Sequence, residues 1–253
     1  MGFWERYRSV VNPPFLHGVT KGKISGAFSV HKFGRNGDVD AAEDVWSYGG
    51  DYTYPSAAAT NYISSSNAGD DQEITIEGLD ANWDRQTATQ ALDGQNKTEI
   101  SSGLTWMRVF RAYNTGTALA GDVYVYEDDT LTAGVPDTAT KVKAKIDQAE
   151  NQSMMALYTI PSGYDGFLMT LWINGNGTTA TTFDLSFLEK EYSQDSFRTK
   201  FTMSGRNDGA GIYMPYDLPR VIPEKTDIRW RCTAVSAANL DISAGFDLAL
   251  YQQ

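Results

Sequence analysis

The sequence predicts an all-β protein, an antiparallel β-sandwich or jelly roll preceded by an extended N-terminal arm. Three observations carry this. From about residue 50 onward, apolar residues recur at every second position in short runs. Turn residues separate those runs: Gly78, Asp93-Gly94, Ser162-Gly163, Asn174 to Gly177, Asn207 to Gly209 and Pro223. Before Tyr52, by contrast, the aromatic residues follow neither a helical nor a strand period.

The expected arm is residues 1–46 and the expected body residues 47–253. Pro13-Pro14, Gly18, Gly22 and Gly26 favour an extended, adaptable front. In the body, "QEITIEGLD" at 72–80 alternates Ile74 and Ile76 with Glu73, Thr75 and Glu77. "TWMRVFRAY" at 105–113 groups Trp106, Arg108 and Phe110 on one face, and Met107, Val109 and Arg111 on the other. "DVYVYED" at 122–128 is β-branched and aromatic. "KVKAKID" at 141–147 alternates strictly, with Val142, Ala144 and Ile146 inward and Lys141, Lys143 and Lys145 outward, which favours strand over helix.

Further strands are expected at "MMALYTI", "GFLMTLWIN", "TTFDLSFLEK", "SFRTKFTMS", "TDIRWRCTAVS" and "DISAGFDLALY". The last sets Ile242, Ala244, Phe246, Leu248 and Leu250 on one face. No internal repeat is visible, so one body domain is expected; a division into two sandwiches near residues 190–196 is the alternative.

Composition narrows the function. Hydrophobic residues make up 41% of the 253 residues, enough for a sizeable core. Cys232 is the single cysteine, which excludes an internal disulfide, and it reads as a small buried hydrophobe on a strand. No run of about 18 apolar residues suggests a membrane span, and the N-terminus lacks the apolar core of a signal peptide. Charge is divided. Residues 1–37 hold six Lys or Arg and one acid, whereas the rest hold 15 bases and 31 acids. An acidic body repels phosphate backbones, so neither nucleic acid nor membrane is expected as a partner. The basic arm suits an acidic protein surface, such as that of a neighbouring copy.

Catalytic signals are weak, and no enzyme activity and no cofactor are expected. H-E-x-x-H, G-x-S-x-G and P-loop patterns are missing. "NGNGTTA" reads as a hairpin turn and "EDDT" at 127–130 as a solvated loop. Asp38, Asp40 and Glu43 are weak candidates for a hard cation, but their spacing is not that of an EF-hand loop. The aromatic content leaves carbohydrate binding open.

Taken in order, four stretches carry a resemblance: Lys32-Phe33-Gly34-Arg35 with "DVD" following, Glu43-Asp44-Val45-Trp46 with "GGDYTYP", the Ile160-Pro161-Ser162-Gly163 turn, and the strand at 241–250. From about Val30 to its end the chain resembles a family of little-characterised virion proteins of tailed bacteriophages. His31 stands where that pattern has Asn, and residues 1–28 lie outside it. The resemblance implies a virion structural protein, located on the particle and assembled in the host cytoplasm, with other virion proteins as partners. A capsid decoration or cement protein is the leading expectation. A neck, tail or fibre-base component is the alternative, and a glycan- or receptor-binding module a lesser one. A homo-oligomer, trimeric or higher, is expected on the particle. The arm is the expected docking element, with Trp4, Phe15, Phe28, Phe33 and Trp46 as anchors and Arg6, Arg8, Lys32 and Arg35 as polar grips.

Overall fold

A computed structural model of the chain describes residues 14–100, 103–148, 150–177 and 180–253. A short helix, α1 (Pro14–Thr20), leads into β1 (Ala27–Val39). Next come β2 (Thr60–Ser65), β3 (Glu73–Asp80), β4 (Arg85–Ala91), β5 (Thr98–Glu99), β6 (Trp106–Asn114), β7 (Val123–Glu127), β8 (Leu131–Thr132) and β9 (Val135–Pro136). After a 3-10 turn at Ala139–Lys141 come β10 (Val142–Ile146), β11 (Leu157–Thr159), β12 (Tyr164–Asn176) and β13 (Thr182–Lys190). The chain ends with β14 (Arg198–Arg206), β15 (Ile212–Ile222), β16 (Asp227–Val235) and β17 (Leu240–Gln252).

Two antiparallel sheets, ordered β1-β17-β12-β15 and β11-β16-β13-β14, form a sandwich. Its core follows from the alternation of β17: Ile242, Ala244, Phe246, Leu248 and Leu250 are all buried. They meet Leu185, Phe187, Trp230 and Cys232 of the opposite sheet. The Phe187 and Phe246 rings lie 5.6 Å apart edge-to-face, and Trp230 Nε1 donates to Gly245 O across the sandwich at 3.0 Å. Cys232 is buried as expected, and burial pushes its thiol up to about 11.

The strands β2 to β10 are inserted between β1 and β11. Most of them form a third sheet, β10-β7-β2-β6-β3-β4, with β5 on β2, while β8 and β9 pair with each other. This sheet curls. Ser153 bridges Ile146 of β10 and donates its N–H to Ala112 O of β6 at 2.8 Å, so residues 151–153 link the two strands. Inside lie Ile63, Ile74, Ile76, Val109, Val123, Val125, Val142, Ala144 and Ile146.

The structure differs from the sequence expectations in several places. Residues 27–39, expected as irregular arm, are a full strand paired with β17 from Ala27↔Tyr251 to Val39↔Leu240. Their period is weak because the core-facing side runs Phe28, Val30, Lys32, Gly34, Asn36. Past Val30 that side faces a polar junction. Gly34 is required there, since a Cβ would lie 2.1 Å from Ala156 N and 2.4 Å from Val45 O.

In β6 the expected faces are reshuffled. Against β3 the register skips Met107 and Phe110, and each bulge turns its extra residue towards the sandwich core. Trp106 and Val109 keep facing the inserted lobe. Lys143 is buried rather than outward, its ammonium bonded to Thr53 O (3.0 Å), Thr140 O (2.6 Å) and Glu127 (3.1 Å). The "NGNGTTA" stretch does not close a hairpin. It carries the chain from β12 in one sheet to β13 in the other. Residues 190–196 mark no domain boundary, because β13 and β14 on either side pair with each other. The "EDDT" loop is not merely solvated: Asp129 accepts from Thr138 N (2.7 Å) and Lys141 Nζ (3.0 Å), capping the 3-10 turn.

Candidate docking surface

On the sheet β1-β17-β12-β15 the inward positions fill the core, and the outward positions of a sandwich are ordinarily polar. Here the outward side of β12 carries Phe167, Met169 and Trp172, and that of β17 carries Ala249 and Tyr251. Phe167 and Tyr251 pack edge-to-face at 5.3 Å. Trp172 lies over Gly245, where an added Cβ would come within 2.4 Å of the indole. Leu16 of α1, Phe167, Met169, Pro219 of β15, Ala249 and Tyr251 line an apolar groove of about 380 Å³.

The strand β15 borders this groove and, among the described residues, pairs only with β12. Between Leu168↔Arg220 and Thr170↔Pro215, β12 advances two residues while β15 advances five, so residues 216–219 bulge outward. Leu218 sits on the bulge with 86% of its surface exposed. Tyr213, opposite Trp172, is 64% exposed, and Val221, opposite Phe167, is 51% exposed. Among the described residues no strand covers the outer edge of β15. Pro215, Pro219 and the bulge disfavour pairing with another strand, so any partner is read by side chains rather than by sheet extension. Arg220 anchors the bulge from below through a two-pronged pair with Glu189. Burial raises the Tyr216 hydroxyl beside it, with Arg220 opposing. Leu218, Tyr213 and Val221 thus leave apolar side chains exposed on this sheet. Sequence reasoning passed over it because Pro215 and Pro219 interrupt the alternation of "IYMPYDLPRVI".

The residues singled out in the sequence have other positions. Trp4, Arg6 and Arg8 lie outside the described residues, as does the side chain of Phe15 on α1. Phe28 packs under the Arg85 guanidinium at 4.0 Å and against Tyr164 at 5.3 Å. Lys32 is buried, its Nζ 2.5 Å from Phe110 O. Phe33 is half-buried beside His31. Arg35 grips Asp241 with two bonds of 2.9 Å and approaches Glu150 at 3.6 Å. Trp46 is 1% exposed, donates from Nε1 to Gly50 O at 3.1 Å and packs against Tyr48 and Tyr52. Trp46 therefore serves as a core residue of the lobe, not as a free anchor. The pockets for Phe28, Lys32, Arg35 and Trp46 come from the chain's own body.

The acidic stretch is likewise structural. Glu43 accepts from Asn36 Nδ2 (3.0 Å), Gly50 N (2.9 Å) and Asp40 N (3.3 Å), and Asp40 accepts from Asn239 N (2.8 Å). Among the described residues no three His, Cys, Asp or Glu side chains are grouped to hold a metal ion, Asp38, Asp40 and Glu43 included. Asp44, fully buried, accepts from Tyr52 N (2.7 Å), Arg229 (2.7 Å) and Arg231 (3.4 Å). The Lys32-to-Trp46 signature is thus the place where β1 crosses residues 43–46 and β16.

No protein-family model matches the chain, and no curated protein matches it. Among solved structures, it is similar to a chain of infectious bursal disease virus, Gx strain, at 9% identity and a TM-score of 0.22, covering 95% of this chain and 82% of that one. A chain of the Gt strain is similar at 10% identity and a TM-score of 0.21, covering 94% and 76%. Overlays this loose carry no argument about what the chain does.

Proposed function

We propose that this chain is a structural protein of a bacteriophage virion, a capsid decoration or cement protein that docks on the assembled head. The observation that carries the reading is the exposed apolar face formed by Leu218, Tyr213, Val221 and the groove beside them. A monomer in water gains nothing from such a face, whereas a subunit on a lattice buries it. Two features support it. Numbered along the chain within the sandwich, the sheets run 1-8-3-6 and 2-7-4-5, which we read as a jelly roll, an architecture of capsid and lectin domains. The sequence also resembles phage virion proteins from Val30 onward.

In this reading docking belongs to the outer sheet face and to the segment ahead of β1 that carries Trp4, Arg6 and Arg8. The acidic body faces outward and keeps particles apart. The protein acts without a catalytic step or cofactor, and contacts other virion subunits and further copies of itself.

The test is rebinding of purified protein to particles that lack it. Leu218→Asp with Tyr213→Ser is expected to abolish rebinding while leaving the melting temperature unchanged, because both side chains are exposed. Undiminished rebinding overturns the docking face. Hundreds of copies per particle fit head decoration; a single ring's worth would move the protein to the neck or tail.

A further inference from the structure

A second concavity lies on another side of the molecule, where β1 faces the inserted lobe. It is a cleft of about 560 Å³, within the size range of small-ligand sites. Its walls bring together β1, β3, β4, β6 and β11. Lys32, Arg85 and Arg111 line it, with Glu77 as the one acidic side chain among its lining residues. His31 at the rim is matched by Asp247, 2.5 Å away. This local excess of positive charge stands out in a chain of net charge −11.

Three details point to a ligand. Lys32 is buried at 8% exposure and donates to a neutral carbonyl, Phe110 O; among the described residues no carboxylate pairs with it. Among the described residues the buried hydroxyl of Tyr158, itself 3% exposed, has no hydrogen-bond partner. Both groups line the same cleft. An unmatched buried donor is costly unless something fills its site. The two arginines are held but not neutralised: Arg85 stacks on Phe28 at 4.0 Å, and Arg111 stacks on Tyr113 at 4.5 Å while donating to Gln152 Oε1 at 2.8 Å. Phe110, which stacks on Tyr158 at 4.3 Å, and Val30 supply an apolar wall.

We propose that this cleft binds a small organic oxyanion with an apolar body, its charged head set among Lys32, Arg85, Arg111 and the Tyr158 hydroxyl, and its body against Phe110 and Val30. Burial and the nearby Arg111 lower Lys32 to about 7, with Glu77 opposing. An arriving anion favours the charged ammonium, so binding near pH 8 takes up a proton. His31 with Asp247, Glu77, Arg85 and Arg111 are the other charged groups facing the site. The inference is independent of the virion reading.

The experiment is calorimetric titration of the full chain with phenyl phosphate, with benzoate and with phenol, in chloride buffers of differing ionisation enthalpy at pH 8. Either anion is expected to bind with proton uptake, and phenol is expected not to bind. Arg111→Gln, a surface change that leaves the fold intact, is expected to weaken binding at least about tenfold. Lys32→Met is expected to abolish the proton uptake, and Tyr158→Phe to weaken binding without removing it. Failure of both anions to bind, equal binding of phenol, or affinity and proton uptake unchanged in Arg111→Gln and Lys32→Met would overturn the proposal. Rebinding to particles plays no part in any of these readouts.

Discussion

The sandwich and the lobe inserted into it are both antiparallel β structures, but they are held by different means. The sandwich relies on long strands. β1, β12 and β17 each run 13 residues, and the apolar core lies between two sheets. The lobe is a curled sheet of shorter strands together with the two-stranded β8-β9 pair, and its loops are organised by carboxylates. Asp70 accepts from Ser65 Oγ (2.6 Å), Ala120 N (2.9 Å) and Gly121 N (3.0 Å). Asp80 accepts from Asn82 N (2.8 Å), Asp84 N (3.1 Å) and Gln86 Nε2 (3.0 Å). Part of the acidity that reads in sequence as a repulsive surface is therefore local scaffolding. Where the two regions meet, a buried ion pair adds to the apolar contacts of Met107 and Phe110. Arg108 of β6 reaches from the lobe to Asp227 of β16 with two bonds of 2.8 and 3.0 Å, both residues buried. The same guanidinium donates to Pro55 O (2.7 Å) and Met107 O (2.8 Å), and Thr159 Oγ1 donates to Asp227 at 2.7 Å. Apolar area fills each region, while directional charge fixes how the two regions meet, which apolar contacts alone would specify poorly.

Breaking that joint is expected to have the largest effect. Arg108→Ala leaves buried Asp227 with the Thr159 hydroxyl and the more distant Lys190 ammonium (3.8 Å) and is expected to lower stability by about 3–5 kcal/mol in chemical denaturation. Replacing both partners, as Arg108→Met with Asp227→Leu, is expected to restore most of that loss. A double variant as unstable as the single one would show that the joint needs its charges as such.

Trp46 tests the lobe from inside. Trp46→Ala is expected to destabilise by about 3–5 kcal/mol through the cavity left beside Tyr52. A variant with native stability but weaker particle binding would return Trp46 to the role of an anchor.

The smallest effect concerns Lys32, on the sandwich strand that faces the lobe. Its folded value of about 7 lies below the ordinary 10.5, so between these values the unfolded chain holds a proton that the folded chain lacks. Stability therefore rises with pH from about 7, by at most about 1.4 kcal/mol per pH unit for one group. The rise ends where tyrosines ionise in the unfolded chain, since burial holds Tyr52, Tyr54 and Tyr158 up in the folded one. Lys32→Met is expected to flatten the slope between pH 7 and about 9 in melts across that range. A slope equal to that of the unaltered chain would mean that Lys32 keeps its proton in the fold.

Much of the sandwich was legible because its strands obey a local rule. β17, β13 and β16 alternate against one dry core, and period two follows. β1 and β15 were illegible for opposite reasons. The inward side of β1 turns polar at Lys32 and Asn36, where it faces a junction instead of oil. β15 is an edge strand, so Pro215 and Pro219 are tolerated where an interior strand would need their N–H groups. The exposed apolar face was hidden by the second of these, and the cleft by the first, because Lys32 in sequence is one more basic residue in a basic segment.

By itself the sequence determined the β class, the position of most strands and turns, and the burial of Cys232 and of one face of β17, because each depends on residues a few positions apart. Only the tertiary structure decided that β1 pairs with β17 across more than 200 residues, that Met107 and Phe110 turn away from Trp106 and Val109, and that Arg108 meets Asp227. Those outcomes rest on which surfaces come together in space. A strand with polar inward residues, a bulge or a buried arginine has no period to announce it; each is stable only once its distant partner is in place.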